Sequence, residues 1–275
     1  MIDLHCHLLP GIDDGADTLK TAVDMARIAL DDGIRVLACT PHIYPGLYHN
    51  DSQGIRAARD RLQAELRARG MPLELVIGAD VHLVPGLVAG IRADAIPTLN
   101  GSRYLLLEPS HHVRPPGLED VIFDLQVAGY VPIITHPERL RWIEEHYSVF
   151  GRLAANGVWM QLTAGSLTGA FGPRARYWSE RFLEDGLVHL LATDAHSTGR
   201  RRPVLSEGLE FAKTRVGEVE ARRMVEERPA AVLRNASPSD IPSPPGVSGR
   251  EERRPKVSIW QRWMGPLWRD RQRSE

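Results

Sequence analysis

The sequence predicts an α/β fold built on parallel strands. Short apolar runs alternate with stretches of helical periodicity along most of the chain. Seven such runs are long enough for strands and are spaced for helical crossovers rather than hairpins. Histidines and carboxylates recur at the C-terminal ends of these runs, the edge where polar groups converge in barrels of parallel strands.

Residues 2–7 open the series as a strand. Residues 18–31 carry apolar residues at helical spacing and stop at Gly33. Residues 35–39 are the second strand, and residues 56–69 form a helix closed by Gly70. Further strands are expected at 73–80, 104–108, 131–135, 158–162 and 188–193, with helices at 118–128, 143–155 and 174–185. At 275 residues, 43% hydrophobic and 25% charged, the chain can bury one large core. The expected domain is 1–236. From Ser237 to Gly249 the composition turns to Ser, Pro and Gly and reads as a linker. Residues 250–275 hold eight Lys/Arg against four Asp/Glu, a formal +4 that leaves −5 for the remainder. Trp260, Trp263 and Trp268 fall in this segment. It is expected to be either a disordered tail or a short element that docks on a partner or an anionic membrane surface.

The formal net charge of −1 gives no general attraction to nucleic acid. Cys6 and Cys39 are too few for a disulfide framework and point to a reducing, cytoplasmic setting. Neither a secretory leader nor a membrane span is expected, because the first residues carry histidines and aspartates and no long apolar run exists.

The donors at the strand ends are His5 and His7, His42, Asp80, Glu108, His136, and Asp194 with His196. Residues two apart share a strand face, so His5 and His7 point together, as do Asp194 and His196, while Cys6 points away. His49, His82, His111, His112, His146 and His189 read as surface or locally bonded residues. Imidazole and carboxylate without thiolate suit catalytic Mn, Fe or Zn. Shared carboxylates imply adjacent ions, typically ~3.5–4 Å apart.

With IDLHCHLLPGIDDG at one end and ATDAH at the other, and with IPTLNGSRYLLLE and THPER between, the chain resembles the polymerase and histidinol phosphatase (PHP) superfamily. Within it, the resemblance is to the bacterial manganese-dependent protein-tyrosine phosphatases of capsule and exopolysaccharide biosynthesis. That resemblance runs from residue 1 to about 235. It implies a distorted TIM-like (β/α)7 barrel and three metal ions. His5, His7, Asp80 and Asp194 would hold one ion, Asp80, Glu108 and His136 a second, and Asp14, His42 and His196 a third, with Asp13 competing for the place of Asp14. Arg139 matches the family's substrate-binding arginine, and Arg201, with Arg202 close behind, its second. Asp80 departs from the glutamate common there.

The function implied is hydrolysis of phosphotyrosine, on a bacterial tyrosine autokinase. The alternatives are a small-molecule phosphoesterase, for instance for histidinol phosphate, and a non-catalytic metal-binding scaffold. A cysteine-phosphatase mechanism is excluded by the residues: it needs an arginine six positions after the thiolate, and Ile12 and Pro45 stand there.

Overall fold

The computed structural model describes residues 1–247. Ten strands are present among them: β1 Ile2–Cys6, β2 Val36–Cys39, β3 His42–Tyr44, β4 Tyr48–His49, β5 Glu74–Ile77, β6 Asp80–His82, β7 Tyr104–Glu108, β8 Val131–Thr135, β9 Trp159–Thr163 and β10 Leu190–Ala192. They fall into a sheet ordered β1-β2-β5 and a sheet ordered β10-β9-β8-β7-β6-β3-β4. All pairings are parallel except that of β3 with the short β4.

The two sheets share two bent staves. The run expected as one strand at 73–80 is broken at Gly78 and Ala79, giving β5 and then β6. Its neighbour bends alongside it, from β2 to β3. Gly78 N–H donates to Cys39 O and Asp80 N–H to Pro41 O, so the ladder continues through the bend. Glycine is required there: a Cβ on Gly78 would lie 2.8 Å from Leu99 and 3.0 Å from Thr40. On the far side, Asp194 N–H donates to His5 O and His7 N–H to Ala195 O, joining β1 to the end of β10. Counting each bent pair once and leaving aside β4, which pairs only with β3, seven staves close into a distorted barrel of the kind expected.

Helices fill the crossovers. Leu19–Asp31 begins at Thr18, whose side chain accepts from Thr21 N–H, and Ser52–Ala68 begins at Asp51 in the same way. Leu118–Val127, Ile143–Ala155 and Gly172–Glu184 follow the expected positions to within two residues. Ser206–Val216 and the helical turns from Glu218 to Leu233 add a region that the periodicity had not marked.

Strand alternation divides the core and lifts the site. Leu37, Leu75, Leu105, Leu107, Met160 and Leu191 pack outward beneath the helices. Ala38, Val76, Leu106, Ile133, Trp159 and Leu190 fill the barrel's interior. Two or four residues further along the same inward face stand His42, Asp80, Glu108, Thr135, Gln161 and Asp194, at the C-terminal mouth. In β1 the pairing slips between Asp3 and Cys6. The slip lets Leu4 join the interior cluster while His5 and His7, of opposite parity, still face the mouth and Cys6 goes to the outer core.

Residues 237–247, taken from the sequence as part of a linker, lie against the barrel's other end. Ile241 is buried beside Val232 and Leu4, Pro242 O accepts from the buried Arg228 Nε at 2.8 Å, and Gly246 N–H donates to Gly186 O. Arg228 also pairs with Glu220 at 2.7 Å. Truncation after residue 236 is therefore expected to destabilise the domain by about 2 kcal/mol, the value of one buried isoleucine. Urea unfolding of the truncated and full chains measures this, and equal midpoints would show that the segment adds nothing. The basic tryptophan-containing segment 250–275 and the last two positions of the expected linker lie outside the described residues. No helix among the described residues is long and apolar enough to cross a membrane.

Candidate metal centre

Nine donors expected from the sequence meet at the barrel mouth. His5 Nε2 lies 3.4 Å from Asp80 Oδ2 and 3.4 Å from Asp194 Oδ1, and His7 Nε2 lies 3.4 Å from the same Asp194 oxygen. His42 Nδ1 stands 3.5 Å from both Asp80 Oδ2 and Glu108 Oε2. His136 Nε2 is 3.9 Å from Asp80 and 3.7 Å from Glu108. Asp14 Oδ1 sits 3.5 Å from His42 Nε2 and 3.3 Å from His196 Nε2. Asp80 is thus the hub, facing three imidazoles from three staves.

The loop after β1 separates its two aspartates. Asp13 Oδ2 accepts from His7 Nδ1 at 2.7 Å and from His42 N–H at 3.2 Å, so it orients the ligands from behind. Asp14 points into the cluster. A Cβ on Gly15 would lie 2.1 Å from His7 O, which is why glycine ends this turn. Two further imidazoles are held likewise. His5 Nδ1 donates to Gln161 Oε1 at 2.7 Å and His196 Nδ1 to Asp194 O at 3.0 Å, and each leaves Nε2 free toward the centre.

Two donors sit on strained backbone. His136 (φ 34°) and Asp194 (φ 50°) are left-handed although neither is glycine. Each follows the end of a strand, where that conformation turns the chain sharply and keeps the side chain at the mouth. Glu138, buried behind His136, accepts from Thr163 N–H and Ser166 Oγ–H and ties this loop to the next.

Asp194 Oδ2 also receives both arginines. Arg139 Nη1 donates to it, and Arg201 Nη2 does so at 2.7 Å. Arg202 turns outward to Glu207 at 2.8 Å, with both side chains half exposed. The two inward guanidiniums share one ring: their Cζ atoms lie 4.4 Å (Arg139) and 5.9 Å (Arg201) from the centroid of Phe171.

A family model for capsular polysaccharide synthesis proteins of the CpsB/CapC type matches residues 1–234. This chain belongs to that family. It is 37% identical over 236 residues to the tyrosine-protein phosphatase YwqE of Bacillus subtilis, covering 86% of this chain and 92% of that protein. It is 26% identical over 240 residues to the tyrosine-protein phosphatase CpsB of Streptococcus pneumoniae, covering 85% and 98%. Its fold matches a crystal structure from work on YwqE and CpsB, described as unique metal-dependent tyrosine phosphatases, with a TM-score of 0.83 and 35% identity over 86% of this chain and 96% of that one.

The donor set of this CpsB/CapC member fits cations. Two ligands about 2.1 Å from one ion stand roughly 3.0–3.4 Å apart, which is close to the spacings above and longer than a good hydrogen bond. Asp80 Oδ2, His42 Nδ1, His136 Nδ1 and His196 Nε2 are buried without a hydrogen-bond partner. Burial opposes the charge on Asp194 and Asp80, yet Arg201 and Arg139 beside the first, and His5 and His136 beside the second, hold both well below the usual carboxylate range. Burial and the nearby Arg139 charge push His136 down to about 3, its neutral, ligating form. His7 goes the other way: against burial, Asp13 and Asp194 push it up to about 10. Cation binding there must displace a proton.

His111 was missed. Its Nε2 lies 3.2 Å from Glu108 Oε1, and it groups with Glu108 and His136 closely enough to share an ion. His82 Nδ1 is also near, 4.0 Å from Glu108. Phe171 was missed as well, since nothing in a lone loop aromatic signals contact with two arginines.

Both cysteines are fully buried. Burial pushes the Cys39 thiol up to about 12 and raises that of Cys6 well above the usual thiol range, so neither supplies a thiolate. Cys6→Ser and Cys39→Ser are expected to keep phosphatase turnover within about twofold while losing about 1 kcal/mol of stability for the buried hydroxyl. Loss of turnover in both folded variants would reopen a thiol mechanism.

Proposed function

We infer that this chain is a metal-dependent protein-tyrosine phosphatase of capsular polysaccharide synthesis. One observation carries the reading: in a CpsB/CapC member, imidazoles and carboxylates from separate staves converge with two arginines on a single face. We assign one ion to His5, His7, Asp80 and Asp194, a second to Asp80, Glu108 and His136, and a third to Asp14, His42 and His196. Mn²⁺ is the proposed metal. The bound ions would supply Lewis acidity toward the phosphoryl group and activation of water.

The protein's own groups supply the rest. Asp80, central to the donors, would serve two ions at once. Arg139 and Arg201 would hold the phosphoryl oxygens, for which the planar guanidinium fork is suited. Their common contact with Asp194 sets both forks at the same edge of the cluster, and the Phe171 ring lies against both. A tyrosine leaves as a phenol of pKa near 10, which asks less proton donation than an alkyl alcohol does. The site accordingly needs no dedicated acid. The proposed biological substrate is a phosphorylated bacterial tyrosine autokinase, met in the cytoplasm.

The test compares a phosphotyrosine peptide, its phosphoserine counterpart and histidinol phosphate at equal concentration with Mn²⁺. Phosphotyrosine is expected to turn over at least about tenfold faster, a difference of ~1.4 kcal/mol in barrier. Equal rates, or preference for histidinol phosphate, would remove the tyrosine assignment.

A further inference from the structure

We propose that a basic hollow beside the metal centre is an accessory subsite for a second anionic group on the substrate peptide, a carboxylate or a phosphate close in sequence to the phosphotyrosine being hydrolysed. The proposal rests on the tyrosine-phosphatase reading above. The hollow has a volume of 510 Å³ and is lined by His111, Arg139, Arg141, Phe171, Arg174 and Ala175. Arg139 and Phe171 belong to both spaces, so an anion in the hollow lies next to the phosphoryl group that Arg139 holds. Two anions so close are most simply carried by one molecule.

No carboxylate lines the hollow, while three guanidiniums do. Two of these are committed. Arg139 is bonded to Asp194, and Arg174 Nε donates to Glu144 at 2.9 Å, an exposed pair that solvent screens. Arg141 differs. Its backbone is pinned at both ends: its N–H donates to His111 O at 2.9 Å, and its carbonyl accepts from Arg174 Nη2 at 2.9 Å. The next residue, Trp142, is buried with its Nε1–H on Ser110 O at 2.8 Å. Yet the Arg141 side chain has neither a hydrogen bond nor an ion pair to any described residue. A charged fork on a fixed base, facing a hollow without a counter-charge, is built to receive an oxyanion. The ordering of the backbone lowers the entropic cost of doing so.

The experiment measures kcat/KM with Mn²⁺ on phosphotyrosine peptides whose flanks are neutral, or carry glutamate, or carry a second phosphotyrosine, at successive positions either side. At the best position the glutamate peptide is expected to exceed the neutral one by about fivefold, and the doubly phosphorylated peptide by about tenfold, because its phosphate carries more charge and accepts both arms of the fork. Arg141→Ala should bring both ratios close to one, Arg141→Lys should keep part of the glutamate gain, and Arg176→Ala, on the outer surface, should change neither. Each ratio cancels any loss common to all peptides, and thermal melting shows whether the variants are folded. A gain with phosphate alone assigns the subsite to a second phosphotyrosine, whereas a gain with both assigns it to any oxyanion. Hydrolysis of all peptides at one rate, or ratios that survive Arg141→Ala, or ratios lost equally in Arg176→Ala, would overturn the subsite and leave the phosphatase standing. Absence of hydrolysis of every phosphotyrosine peptide would instead overturn the underlying function.

Discussion

Excess chelator is expected to abolish phosphotyrosine hydrolysis, and added Mn²⁺ to restore it. The expected loss is about a thousandfold or more, the upper range for deleting one preorganised electrostatic donor, since here every such donor is removed together. The described residues offer no substitute. Their thiols are buried, and their carboxylates at the mouth are grouped with imidazoles rather than poised singly beside a substrate. Asp80→Asn should reproduce most of the loss without chelator. Asp80 Oδ2 faces His5, His42 and His136 and is a buried acceptor without a proton donor, so an amide in its place weakens two proposed ion positions at once. Metal content measured on the purified variant should fall below that of the parent. Full turnover in excess chelator would end the metal mechanism.

Arg139→Ala and Arg201→Ala should each cut phosphotyrosine turnover by roughly two to three orders of magnitude. Removing one partner of a desolvated charge pair costs ~2–5 kcal/mol. Both side chains are mostly buried against Asp194 and Phe171, so neither loss is softened by solvent as it would be on an open surface. Lysine should rescue little, because a point charge replaces a planar fork and its two-armed hydrogen bonding. Arg202→Ala is the comparison: its partner Glu207 is half exposed, and the change should cost less than about threefold. Metal content should be retained in all three. Turnover of Arg139→Ala within a few-fold of the parent would remove it from phosphate binding.

The donors on staves were legible because the chemistry sits on a regular lattice. An apolar run fixes a strand, and a step of two or four residues fixes the face, so His42, Glu108 and Asp194 follow from Ala38, Leu106 and Leu190. Where the lattice bends, the legibility fades. The break at Gly78 depends on how closely Leu99 and Thr40 approach, and no local pattern records that. The slip in β1 is likewise a property of its pairing with β2. Loop residues were harder still. Asp13 and Asp14 are adjacent and alike, and only the folded turn sends one behind His7 and the other between His42 and His196. His111 and Phe171 owe their places to segments far away in sequence. The placing of residues 237–247 was hidden for a related reason: Ile241 and Val247 stand isolated among Ser, Pro and Gly, and two residues six apart show no period.

The seam that closes the barrel sets an order for making the protein. Asp3 accepts from both the backbone and the hydroxyl of Thr193, 190 positions further along the chain, and His5 and His7 meet Asp194 at the same place. At a ribosome moving ~5–20 residues each second, the first stave waits roughly 10–40 seconds for its last neighbour to be synthesised. Until then its two histidines and its apolar face have no closing partner, although β2 can already pair with it and β5 with β2. The centre is consequently completed only after every stave of the barrel has been made. A message interrupted just before Asp194 would yield products with most of the core residues and no working cation site.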